Sequence, residues 1–101
     1  MNMLPSNRIS THPGKFLLED FLQPLEISQS ALARHIGVNP RVINEICRGK
    51  RNISPKMAQL LEGALGMNAE FWMNAQSAYE LTKYRLAQYE IPSKMPQVSE
   101  G

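Results

Sequence analysis

Two helix-start signatures bracket one glycine in this chain, and they leave little freedom in what the segment between residues 28 and 49 can become. Ser28 is a favoured N-cap, because its hydroxyl can accept one of the first unpaired helical N–H groups. Ile27 before it and Leu32 after it have the spacing of a hydrophobic staple. Leu32, Ala33 and Ile36 then form one apolar face, and Gly37 can adopt the left-handed conformation that ends a helix. Asn39 repeats the pattern as a cap, with Pro40 pre-set for the first helical position and Val38 and Ile43 at staple spacing. Ile43 and Ile46 face inward, and Gly49 stops the second helix. Two short capped helices joined at one glycine make a helix-turn-helix, whose second helix is the one that enters a DNA major groove.

Composition narrows the rest. A chain of 101 residues makes one domain with a modest core, and 43% hydrophobic residues suffice for a globular fold. No apolar run approaches the roughly 20 residues that cross a bilayer. Residues Met1 to Arg8 have no signal-peptide hydrophobic region. The single cysteine, Cys47, cannot form an internal disulfide, so a reducing cytoplasm is the expected compartment. A net charge of +2 says little, but its distribution says more. Between Arg41 and Lys56 stand five basic residues (Arg41, Arg48, Lys50, Arg51, Lys56) and one acid, Glu45. Positive charge is concentrated where the motif would meet phosphate.

The remaining segments read as helices and flexible ends. Residues 1–11 are polar and aperiodic, which predicts a flexible arm. His12-Pro13-Gly14 opens a first helix to about Gln23, with Phe16, Leu17, Leu18, Phe21, Leu22 and Leu25 on its apolar stripe and Pro24 where the chain leaves it. Ser54 and Pro55 start a fourth helix, whose buried side is Met57, Ala58, Leu60, Leu61, Ala64 and Leu65, closed by Gly66. Asn68 caps a fifth, long helix over 68–88, with Met67 and Trp72 at staple spacing and fraying near Tyr89. Residues 91–101 read as a mobile tail. The expectation is an all-α domain of five helices over 12–90, with the helix-turn-helix at 28–49.

Within that frame, Arg41 and Asn44 share one face near the start of the second motif helix. Arginine can pair bidentately with guanine and asparagine with adenine, so both are candidates to read bases. The plainer reading is two solvated helix residues. Asn39 is a candidate both as the helix cap and as a DNA contact, to a phosphate or, with Arg41 and Asn44, as a base-reading residue. Gln29 lies where a phosphate would meet the N-terminus of the preceding helix. Arg48, Lys50 and Arg51 suit the phosphate backbone better than bases. Cys47 reads as a half-buried structural thiol. His12 and His35 are too far apart in sequence to join it in a zinc site, and nothing suggests a catalytic constellation or a cofactor. On the fifth helix, Phe71 and Trp72 suit the core. Tyr79, Leu81, Tyr84 and Leu86 lie beyond what a small domain can cover, which points to a homodimer on a near-palindromic operator.

The helix order and the Arg48-Gly49-Lys50-Arg51 exit resemble the lambda-repressor-like, Xre-type DNA-binding domains. His12-Pro13-Gly14, together with Ala69-Glu70-Phe71-Trp72-Met73-Asn74-Ala75-Gln76 and Ala78-Tyr79-Glu80-Leu81, narrows the resemblance to the HigA antitoxin family, also called VapI. It covers roughly His12 to Leu81. The resemblance implies a protein that neutralises a HigB-type ribonuclease toxin and represses its own operon as a dimer. The toxin enters through the resemblance alone. A prophage-type repressor without a toxin is the near alternative, and a helical inhibitor that does not bind DNA is a more distant one.

Overall fold

The computed structural model describes residues 9–87 and 92–96. Among them are five helices and no strand, as expected. The first, α1, runs without interruption through an α-helical turn at Pro13–Phe16, a π-helical segment at Leu17–Leu22 and a last turn at Gln23–Leu25. Next come α2 (Gln29–Ile36), α3 (Pro40–Cys47), α4 (Pro55–Leu65) and α5 (Ala69–Leu86).

The caps fall where side-chain chemistry placed them. Ser28 Oγ accepts the Ala31 N–H, Ser54 Oγ that of Met57, and Asn68 Oδ1 that of Phe71. Gly37, Gly49 and Gly66 all have positive φ at helix ends.

The end of α1 corrects the sequence reading. Pro24 lies inside the helix, and Leu25, placed on the apolar stripe, is 56% exposed. Proline lacks an N–H, and its ring collides with the carbonyl four residues back. The wider π-helical winding before it, in which the Gln23 N–H reaches the Leu18 carbonyl, relieves that collision. The helix stops at Glu26 (φ 57°), whose N–H bonds the Gln23 carbonyl while the Ile27 N–H bonds that of Leu22. This is a Schellman closure with a glutamate in the left-handed position, at a cost of about 1 kcal/mol.

Every helix contributes to one core: Leu17 and Leu22 of α1, Leu32 and Ala33 of α2, Ile43 and Ile46 of α3, Met57, Ala58 and Leu61 of α4, and Trp72 of α5. Trp72 is fully buried, with Phe21 and Phe71 rings 5.3 and 5.0 Å away and its indole N–H on the Met67 carbonyl. Gly14 is buried where the start of α1 crosses α3, and a Cβ there would overlap the Ile46 carbonyl oxygen. That crossing holds the back of α3 against the core.

Residues 9–11 are the described part of the segment read as a flexible arm, and residues 1–8 lie outside the described residues. The Ser10 N–H donates to Thr82 Oγ1 at 2.8 Å, so the chain before α1 is tied to α5. At the other end α5 is capped at Ala87. The expected fraying near Tyr89 lies outside the described residues, as do 91 and 97–101 of the segment read as a tail. Residues 92–96 are exposed and non-helical.

Candidate nucleic-acid interface

The exposed side of α3 begins with its cap. Asn39 Oδ1 accepts the Arg41 N–H at 2.8 Å, so this oxygen is committed to the helix start. Asn39 itself is exposed, and its amide NH₂ is the end left for a ligand. Arg41, Asn44 and Arg48 follow at helical spacing on one face, all exposed, while Ile43 and Ile46 point into the core.

Asn44 Nδ2 donates to Gln29 Oε1 at 3.1 Å, which joins the start of α2 to the middle of α3. The bond orients both amides. Asn44 keeps its Oδ1 and one N–H, the donor–acceptor pair that an adenine edge requires. Gln29 keeps its NH₂, a donor suited to a phosphate oxygen. Two residues given separate candidate roles in the sequence are therefore joined by one hydrogen bond.

Arg51 differs from the other basic residues. Its guanidinium bonds Glu45 Oε1, through Nε at 2.9 Å and through a terminal nitrogen at 2.8 Å. A pair this exposed contributes at most about 1 kcal/mol. Its larger consequence is electrostatic, because it offsets the single acid on the exposed flank of α3. Arg48 and Lys50 are exposed. Gly49 is left-handed (φ 74°), and the Lys50 N–H closes on the Glu45 carbonyl.

Cys47 is half-buried, and burial pushes its thiol up to about 11, so it stays protonated and unreactive at neutral pH. Among the described residues no His, Cys, Asp or Glu cluster could hold a metal ion, and no helix is long and apolar enough to cross a membrane.

The four interface candidates on α5 separate into two groups. Tyr79 is half-buried, its ring edge-on to His12 at 4.7 Å with the Lys83 ammonium 5.6 Å from its centroid. It therefore packs within its own chain. Leu81 and Tyr84 are 54% and 57% exposed and share a face, while Leu86 is half-buried.

His12 ties these parts together. Its Nδ1 accepts the Gly14 N–H at 2.8 Å, capping α1, and its ring lies between Tyr79 and the Gly49 turn. Nε2 is buried, with the Arg51 main-chain carbonyl as its neighbouring acceptor but no hydrogen bond of full geometry. Burial holds the imidazole below its ordinary pKa, and Lys83 adds to this. The Arg51 main-chain carbonyl and the Glu80 carboxylate oppose it. The folded protein therefore keeps His12 neutral at a pH where the unfolded chain binds a proton. Above about pH 6.5 neither state carries that proton, and as pH falls through this value only the unfolded state gains it. The unfolding midpoint should fall between pH 7 and pH 5. His12→Asn, which can still cap α1, should flatten that dependence in thermal melts.

A helix-turn-helix family profile matches residues 18–72. Virulence-associated protein I of Dichelobacter nodosus is 43% identical over 70 residues, covering 69% of this chain and 65% of that protein. Antitoxin HigA-1 of Vibrio cholerae is 34% identical over 79 residues, covering 78% of this chain and 74% of its own length. The Pseudomonas aeruginosa antitoxin HigA, solved with the higBA promoter, superposes with a TM-score of 0.77 at 37% identity, covering 88% of this chain and 99% of that one. The chain belongs to the HigA family of helix-turn-helix antitoxins. The profile takes in all of α2, α3 and α4, and ends at the buried Trp72. In this HigA-family chain the signals missed in the sequence are contacts between segments that only the fold brings together. They are the close approach at Gly14, the Glu45–Arg51 pair and a buried glutamine on α5. The HPG triplet was visible, but only contact with α3 explains its glycine.

Proposed function

We propose that this chain is a DNA-binding antitoxin that represses its own operon and neutralises a HigB-type toxin. The exposed face of α3 carries the reading: Arg41 and Asn44 present base-reading groups, Gln29 is bonded to Asn44, and Arg48 and Lys50 flank them. Arg41 and Asn44 read base edges, with the Asn39 amide beside them. Gln29, Arg48 and Lys50 meet phosphates, and Arg51 screens Glu45. The antitoxin names of relatives support the toxin partner, and the promoter-bound HigA structure supports the DNA ligand.

Binding of the purified chain to a duplex from its own promoter tests the DNA reading. Affinity should fall steeply from low to moderate salt as counterions are released, and Lys50→Ala should lower the salt slope by about one unit. Affinity independent of salt would remove the phosphate assignments. Restored growth of cells co-expressing the adjacent toxin frame tests neutralisation.

The exposed Leu81–Tyr84 face is the proposed two-fold seam, placing two α3 helices about 34–36 Å apart on a near-palindromic site. Leu81→Glu should yield a monomer in light scattering, with weakened operator binding. A variant that stays dimeric would move the seam elsewhere.

A further inference from the structure

Among the described residues one polar side chain is buried, and it belongs to neither the helix-turn-helix nor the exposed face of α5. Gln76 of α5 is 5% exposed. Its Oε1 accepts the Ile53 N–H at 2.8 Å, and its Nε2 donates to Asn52 Oδ1 at 3.1 Å and to Glu80 Oε2 at 3.0 Å. Every hydrogen-bonding group of this amide except one acceptor position is therefore used.

The bonds allow only one orientation. A backbone N–H can only donate and an ionised carboxylate can only accept, so Ile53 and Glu80 together fix which end of the Gln76 amide faces each of them. The remaining Nε2 hydrogen then requires an acceptor from Asn52, which turns Asn52 Oδ1 inward. Asn52 is exposed, and its other end, the Nδ2 group, points away from the buried amide. A surface asparagine is ordinarily free to flip, but this one presents donors outward.

Its position gives those donors a use. Asn52 follows Lys50 and Arg51, and both of these are bonded to Glu45 of α3, Lys50 through its main-chain N–H and Arg51 through its guanidinium, which holds this stretch near the exit of that helix. Outward N–H groups beside basic residues at that point suit a phosphate oxygen, which can only accept. We propose that Asn52 is a further phosphate-contacting residue, and that Gln76, held by Glu80, is the positioning residue that turns its amide outward. This rests on the DNA-binding reading above.

The decisive variant reverses the network while keeping it satisfied. With Gln76→Glu and Glu80→Gln together, the new carboxylate still accepts the Ile53 N–H and now accepts from residues 80 and 52. Asn52 must then flip and present its oxygen to the phosphate. Fluorescence anisotropy would compare wild type, this double variant and Asn52→Ala on a duplex recovered by wild-type selection and on a random duplex, with thermal melts alongside. Both variants should lose about tenfold in affinity on both duplexes, with the double variant melting near wild type. A folded double variant that binds like wild type would overturn the proposal, since a structural role alone predicts that result. Should the double variant unfold, Asn52→Ala decides: a tenfold loss supports the contact and wild-type affinity refutes it. A wild-type chain that binds neither duplex would overturn the DNA reading itself, and this proposal with it.

Discussion

Gly14→Ala should lower the unfolding free energy by about 3 kcal/mol, the upper end of what overpacking a core costs. A Cβ at this position would overlap the Ile46 carbonyl oxygen and come within 3.1 Å of His12 Nδ1. Main-chain atoms on α3 cannot rotate away as a side chain can. The start of α1 would have to lift off α3, loosening the contact that backs that helix. Gly63→Ala is the matched control. Gly63 is exposed within α4, and a Cβ there meets nothing within 4 Å, so alanine should add about 1 kcal/mol through helix propensity. Denaturant midpoints for the two variants should therefore move in opposite directions. If they move together, the α1–α3 approach is not what requires glycine.

Arg41→Ala and Asn44→Ala should each cost about 1–3 kcal/mol on the operator and little on random DNA. Both side chains stand exposed on the same face of α3, clear of the core, so neither substitution should shift the melting midpoint much. Asn44→Ala has a second effect, because it also releases Gln29 from its 3.1 Å bond. The two losses should consequently be unequal in kind. Arg41→Ala should relax selection at one base position, while Asn44→Ala should also weaken a phosphate contact near the start of α2. Selection from a randomised library by each variant measures this directly. Recovery of the wild-type motif at unchanged information content by both variants would transfer base reading to other residues.

The helices of this protein were legible because their ends are written in local chemistry. Ser28, Asn39, Ser54 and Asn68 each cap with a side-chain oxygen that reaches two or three residues along the chain. Such bonds need no tertiary partner, so residue type and spacing suffice to find them. The same holds for Gly37, Gly49 and Gly66, where positive φ is a local demand. Local reasoning failed at Pro24. A proline usually marks where a helix has ended, yet here a π-helical segment absorbs it and the helix closes two residues later at a left-handed Glu26.

The candidate interface was legible to the same depth. Arg41, Asn44, Arg48 and Lys50 could be placed on or beside the exposed side of α3 by periodicity, because the inward face is marked by Ile43 and Ile46. What periodicity could not supply is which polar groups satisfy one another. Gln29 and Asn44 are 15 residues apart, and Gln76 is 23 from Ile53. Arg51 and Tyr79 likewise belong to groups that only folding assembles, with Glu45 in one case and His12 in the other.

The sequence by itself determined the number of helices, the side-chain caps of α2 to α5, the inward faces except at the end of α1, and the basic exit from α3, since these follow from neighbours within about one helical turn. Tertiary structure decided how closely α1 approaches α3, which basic residue is spent on an acid, and which way the amides of Asn44 and Asn52 face. A close approach depends on the atoms of two distant segments, and a side-chain amide turns toward whatever donor or acceptor the fold places beside it.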